Sequence, residues 1–364
     1  MALLQAAVDA WGESQVLALG GLTVGVLFGF FAQRSRFCLR SAVIEFARNQ
    51  GGGKLTVWLF AFATAVLVTQ GLAWSGVLDA SSARQLAARG SVSGAALGGL
   101  LFGAGMVLAR GCSSRLLVLA AGGNLRSVVS GLVFAVTAQA SWSGVLAPLR
   151  ETLAGGWTVE GGAGRDLLLR WGWGHGSAML FGLAWLAAAI WWARRQRVAP
   201  WAWGGAMVVG LSVAAAWAFT HAVSTVSFDP HPIQALSFTG PSAEFLSRVL
   251  FAGGKPLNFD MGLIVGVVLG SFAAAACFGE LKLEGFQGGA SMRRALVGAM
   301  MMGFGGMLAG GCAVGAGLSG AAVFSLTAWV TLFAMWAAAA LTDRWLDHTP
   351  TASLQDPSIM ATPS

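Results

Sequence analysis

Tyrosine is absent from this 364-residue chain and charge is scarce, with Asp, Glu, Lys and Arg making up only 10% of it. A soluble domain carries roughly 25% charged residues, so a water-facing surface of this size cannot be covered. Cysteine is nearly as rare. The four present, Cys38, Cys112, Cys277 and Cys312, form neither a CxxC dithiol nor a zinc-ligand pattern. The four histidines, His175, His221, His231 and His348, are scattered without metal-site spacing, and no metal or cofactor is expected. Phosphate loops, HExxH, GxSxG and dinucleotide fingerprints are missing as well. The first fifteen residues hold Asp9 and Glu13 but no Lys or Arg, so a cleaved signal peptide is not expected.

What remains is apolar. Residues of the AVILMFWYC set reach 56%, glycine contributes 52 positions, and the mean hydropathy is +0.70. That excludes disorder, which needs low hydrophobicity and high charge. The composition places the chain in a bilayer. The net charge of +7 is no sign of nucleic-acid binding, because the basic residues sit mainly in short clusters between apolar runs. Sixteen Trp suit interfacial anchoring by indole rings.

A spanning helix needs about 20 mostly apolar residues. Nine runs meet or approach this: 16–33, 55–76, 92–109, 127–147, 171–193, 201–220, 260–278, 295–310 and 321–342. The basic turn Ala193-Arg194-Arg195-Gln196-Arg197, bracketed by Trp191, Trp192, Trp201 and Trp203, marks the cytoplasmic side. Parity then puts the N-terminus outside and the C-terminus inside, with 343–364 as a loose polar tail. The stretch from His221 to Asp260, with a short amphipathic patch at 242–252, lies outside. The expected fold is all-α: one polytopic membrane domain over 1–364, with about nine spans plus short broken or re-entrant helices and an internal pseudo-inverted repeat. The first repeat half covers about 16–147, linking spans 171–220, and the second half about 260–342.

Two internal echoes support the repeat. Gly21 to Ala32 matches Gly262 to Ala273 at an offset of 241, with eight of twelve positions identical. Gly103, Gly105, Leu108, Ala109, Gly111 and Cys112 recur as Gly303, Gly305, Leu308, Ala309, Gly311 and Cys312 at an offset of 200. One extra span in the first half reverses parity, so the Gly21 and Gly262 helices run the same way and the helices leading to Cys112 and Cys312 run oppositely. Glycines spaced four apart in the first echo favour close helix packing over a permeation seam.

Gly111-Cys112-Ser113-Ser114 and Gly310-Gly311-Cys312-Ala313 each end an apolar helix with glycine, present a cysteine and begin a further short helix. A helix break inside a bilayer is tolerated only where it is buried in protein or lines a cavity, and the next helix start favours an anion. Cys112 and Cys312 are therefore read as functional and Cys277, inside an Ala-rich helix, as packing. Cys38 follows Arg34 and Arg36 and precedes Arg40; those arginines serve equally well as interfacial anchors or as oxyanion partners. Glu45 and Glu280 lie just beyond the repeated helices, where Arg34, Arg40 or Lys282 could pair with them.

At these motifs the chain resembles the YeeE/YedE family of bacterial membrane proteins, which includes thiosulfate permeases. The resemblance runs through roughly 16–342. It rests on Gln33-Arg34-Ser35-Arg36-Phe37-Cys38, Arg110-Gly111-Cys112-Ser113-Ser114-Arg115 with Gly123-Asn124-Leu125-Arg126, and Gly310-Gly311-Cys312. It implies an all-helical core with short helices meeting at mid-membrane, and three central cysteines, here Cys38, Cys112 and Cys312, that handle thiosulfate. Ala316 stands where the family often has His, which removes a polar group near the path. The expected function is an inner-membrane permease, not an enzyme, with Cys38, Cys112, Cys312, Gly111, Gly311, Arg36 and Arg115 at the substrate and a cytoplasmic TusA-like sulfur carrier as partner. The competing readings are a membrane sulfur-transfer or thiol redox enzyme using cysteine persulfides, and a transporter of another sulfur or selenium compound.

Overall fold

The computed structural model describes residues 2–227, 231–251, 256–286 and 288–346. Helices dominate it. Each apolar run is carried by a long helix: α1 (Glu13–Arg34), α3 (Gly53–Trp74), α4 (Val92–Leu108), α6 (Leu125–Ser143), α7 (His175–Arg195), α8 (Pro200–Val226), α10 (Phe259–Cys277), α11 (Gly289–Ala309) and α12 (Leu326–Leu346). Between them lie the short helices α2 (Leu39–Ala47), α5 (Ser113–Ala121) and α9 (Thr239–Phe251). Among the described residues, strand is confined to a two-residue pair, β1 (Gly90–Ser91) antiparallel to β2 (Thr158–Val159).

Among the described residues, seven stretches are long and apolar enough to cross a membrane, and α6 with the helix Ala147–Gly155, bent by 68°, makes an eighth if the two are taken as one broken span. Helix α11 is less apolar because it opens with Arg293 and Arg294 and is interrupted by glycines, yet its 21 residues reach about 30 Å. Side-chain oxygens fix several starts by accepting the N–H three residues on: Ser91 from Gly94, Asn124 from Ser127 and Asn258 from Met261.

Glycine sets the packing. A Cβ on Gly21, Gly25 or Gly29 would stand 2.1, 2.5 and 2.3 Å from the carbonyl oxygens of Phe259, Leu263 and Val267. The register rises together along both chains, so α1 and α10 are parallel and in backbone contact. Contacts of Gly98 with Gly305 and of Gly105 with Gly298 instead make α4 and α11 antiparallel. Both directions agree with the parity of the two echoes, and the Gly21 series is a packing seam.

Four parts of the chain share one plan, in which a long helix breaks, a short helical arm follows and a second long helix leaves. They are α1-α2-α3, α4-α5-α6, α8-α9-α10, and α11 with the π-helical turn Gly315–Gly320 and α12. Two expectations change here. The 242–252 patch belongs to more than an external connection: its described part lies in α9, the arm of the third unit, with Thr239 and Ala243 buried. The tail does not begin at Asp343: α12 continues to Leu346, and Asp343, 1% exposed, receives Arg48 Nε and Nη2 at 2.7 and 2.8 Å. Residues 347–364 lie outside the described residues.

Candidate anion pathway

The three breaks that carry cysteine have one backbone geometry. Each long helix ends on a left-handed residue two positions before the cysteine: Arg36 (φ 54°), Arg110 (φ 58°) and Gly310 (φ 77°). The following N–H reaches back five residues, Phe37 to Ala32 (3.1 Å), Gly111 to Met106 (3.0 Å) and Gly311 to Gly306 (3.0 Å), which closes a Schellman stop. Cysteine then stands at the start of the next helical turn. Its carbonyl accepts the first bond, from Ala42 to Cys38 (3.2 Å), Leu116 to Cys112 (2.9 Å) and Ala316 to Cys312 (2.8 Å). The expectation that glycine itself stops the helix before Cys112 is therefore corrected. Arg110 takes the left-handed position there, at a steric cost of about 1–2 kcal/mol for a residue with a Cβ.

The third unit has the same arm without the thiol. Phe238 precedes α9, and its carbonyl accepts the N–H of Ser242 at 3.2 Å. Its own N–H donates to Cys312 Sγ at 3.3 Å, and Gly315 N–H donates to the same sulfur at 3.4 Å. Ser319 Oγ clamps the approach by donating to the Leu236 carbonyl at 2.7 Å.

Cys38 and Cys112 form the corresponding pair on the other side, their side chains facing each other. Cys112 Sγ also lies 3.4 Å from Ser114 Oγ. Arg115 donates to Gln33 Oε1 at 3.4 Å, and Gln33 Nε2 donates to Glu280 at 2.8 Å. Arg36 stands 3.8 Å from that carboxylate. Cys38, Cys112, Arg36 and Arg115 are thus brought together, with Gly111 in the adjoining turn. Cys312 and Gly311 lie at the opposite end of the antiparallel α4–α11 pair. Cys38, Cys112 and Cys312 are all buried, while Cys277 is exposed and outside both clusters. Among the described residues Glu45 serves as a cap: it accepts the N–H groups of Lys54 and Leu55, both at 3.1 Å, at the start of α3.

Three features escaped the sequence reading. Phe28 joins the two cysteine sites: its ring packs on Phe37, beside Cys38, at 6.3 Å and on Phe238, beside Cys312, at 5.3 Å. These three buried rings form one continuous apolar contact between the clusters. The second feature is a cavity of about 310 Å³ beside the Gly310-Gly311 turn, lined by Arg84, Arg150 and Arg165 with Gln234 and Asp260. Burial pushes Arg165 down to about 10, so it stays charged at neutral pH. It donates to the Ala88 carbonyl at 2.7 Å and to Thr327 Oγ1 at 2.6 Å. The third is Phe238 itself. Thr239-Gly240-Pro241 is a readable helix start, but a phenylalanine in a cysteine's place gave no chemical signal.

The profile of the sulphur-transport family matches residues 34–341. The chain belongs to that family. It is also 27% identical over 338 residues to the thiosulfate transporter TsuA of Escherichia coli, covering 88% of this chain and 92% of that protein. A second thiosulfate transporter TsuA, from Spirochaeta thermophila, is 27% identical over 330 residues, covering 85% and 93%. The protein is therefore a multi-pass membrane transporter of the sulphur-transport family rather than an enzyme.

Proposed function

We propose that this protein is an inner-membrane permease that imports thiosulfate, with the arginine-lined cavity facing outward. The observation that carries this reading is the repetition of one buried helix break at Cys38, Cys112 and Cys312. A break of this kind aims unpaired N–H groups and a positive helix end at whatever occupies the space before it, and a thiol beside them supplies a weak donor and a polarizable sulfur. Thiosulfate has a use for both, since its sulfonate oxygens accept N–H bonds and its terminal sulfur meets the thiol.

Arg84, Arg150 and Arg165 concentrate the dianion in the outer cavity by long-range attraction. Cys312, held by the Phe238 and Gly315 N–H groups, is the first station. The Phe28 contact separates it from Cys38 and Cys112 and in this reading is the gate, as apolar constrictions are. Arg36 and Arg115 then receive the anion on the cytoplasmic side, where a TusA-like carrier would meet it. Weak stations in series let a dianion leave where one tight clamp would hold it. The N-terminus is outside and the C-terminus inside, and the chain is a duplicated transporter with halves at about 16–147 and 260–342, joined through spans 171–220. The two TsuA relatives support the substrate. The deciding experiment is uptake of labelled thiosulfate into proteoliposomes with sulfate, sulfite and selenium analogues as competitors. Uptake that exceeds empty liposomes and is blocked by excess unlabelled thiosulfate is expected; no uptake, or equal inhibition by sulfate, would overturn the assignment.

A further inference from the structure

The cytoplasmic pair of cysteines opens onto a cluster whose negative member the transport reading leaves unused. Helix α10 ends at Cys277, and Gly279 at φ 65° turns the chain so that Glu280 N–H returns to the Ala275 carbonyl at 2.8 Å. The Glu280 carboxylate then meets Gln33 Nε2 at 2.8 Å, Arg36 at 3.8 Å and Arg34 at 3.9 Å. Arg115 joins through the Gln33 amide. Arg34 is fixed from both faces, its guanidinium 4.2 Å from the Trp201 ring centre and 3.9 Å from that of Phe278.

We propose that Glu280 is a tethered counter-anion: it occupies the exit site for a small dianionic oxyanion and is displaced by the substrate on its way out. The inference rests on the transport reading and extends it. The argument is one of bond quality. A structural arginine–carboxylate pair in this molecule, Arg48 with Asp343, closes at 2.7 and 2.8 Å through two donors, the geometry of a strong bidentate pair. Glu280 stands a full ångström further from both of its arginines. Its single short bond is to a neutral amide, which serves an oxyanion equally well. Guanidinium groups gathered at a monovalent carboxylate attract a divalent anion more strongly, since the attraction scales with the charge brought to them.

The backbone around Glu280 stays in place during such an exchange. Lys282 N–H donates to the Gly122 carbonyl at 3.2 Å, Glu284 N–H donates to the Gly123 carbonyl at 3.1 Å, and Leu125 N–H donates to the Glu284 carbonyl at 3.0 Å. Displacement is a side-chain swing. Glu280 then re-covers the arginines once the anion has gone, which hastens release and keeps cytoplasmic anions from settling there.

The test is equilibrium binding of labelled thiosulfate to purified protein in lipid nanodiscs, where both faces are open, together with uptake in proteoliposomes. Glu280→Gln keeps the contact with Gln33 and removes the charge. It is expected to bind about tenfold more tightly, with a lower maximal uptake rate because release slows. Adding Arg36→Gln to Glu280→Gln is expected to return the affinity toward that of the parent, which a purely structural role would not do. Unchanged affinity in both Glu280→Gln and Glu280→Ala, with thermal unfolding like the parent, overturns the proposal. Tightened binding in a protein that moves no thiosulfate would sink the transport reading and leave the counter-anion standing.

Discussion

Single residues separate the permease from its alternatives. Cys112→Ala and Cys312→Ala are each expected to remove most thiosulfate uptake per inserted protein, whereas Cys277→Ala, altering an exposed thiol, should transport like the parent. Cys312→Ser is the informative variant. Its hydroxyl can still accept the Phe238 and Gly315 N–H groups but cannot form a persulfide, so partial uptake supports passage by hydrogen bonding and complete loss points to covalent sulfur chemistry. Two glycines that look equivalent in sequence are expected to differ. A Cβ on Gly311 would stand 3.1 Å from Ala316 N and 3.3 Å from the Gly315 carbonyl carbon, while one on Gly111 meets nothing closer than Leu116 at 3.6 Å. Gly311→Ala should therefore lower both thermal stability and uptake, by about 1–3 kcal/mol in stability, and Gly111→Ala should be close to neutral; equal melting temperatures would refute this. Arg165 carries the one pH prediction. Its folded value of about 10 lies below the ordinary one because burial disfavours the charged form. The arginine-lined cavity thus keeps this charge at neutral pH and loses it as the pH on its side of the membrane rises through about 10. The KM for uptake should climb in that interval, and Arg165→Gln should show the raised KM already at pH 7.

At the scale of elements, the helices and their directions could be read from the sequence, but the arms could not. Apolar runs and the repeated Gly21 and Gly262 series fix spans because a bilayer demands length and a glycine seam demands a partner. Substituting valine at Gly25, whose Cβ would lie 2.5 Å from the Leu263 oxygen, should force α1 and α10 apart and destabilise the protein by at least about 1–3 kcal/mol, measured as a lower melting temperature in detergent. A Gly131→Val control, at a position where a Cβ meets nothing within 4 Å, should not. The stops at Arg36 and Arg110 were less legible, since a left-handed arginine runs against the rule that such positions go to glycine; tertiary packing overrides the local preference. Arm α9 was hidden for a different reason. It buries only part of a face and carries no cysteine, so its sequence reads as an ordinary amphipathic turn between prolines. The arginines that line the cavity come from segments distant in sequence, and no spacing rule connects Arg84 with Arg150 and Arg165.

At the scale of the whole molecule, the antiparallel setting of α4 and α11 puts the two cysteine clusters at opposite ends of that pair, and the proposed sidedness can be measured. In a Cys277→Ala background, a cysteine introduced at Gln196 is expected to resist an impermeant thiol reagent added to intact cells, and one at Glu160, whose side chain is 84% exposed, to react. The reverse pattern would invert the proposed topology and make the arginine cavity an exit. The four matching arms have a further electrical consequence. Each helix start presents about half an elementary positive charge, and the arms stand in two pairs, Phe238 with Cys312 and Cys38 with Cys112. Each pair therefore offers roughly one unit of fixed positive potential, supplied by peptide groups that neither titrate nor carry a counterion. On the proposed reading, a dianion resting at either pair would be about half neutralised, and would still carry enough uncompensated charge to be pulled onward to the next.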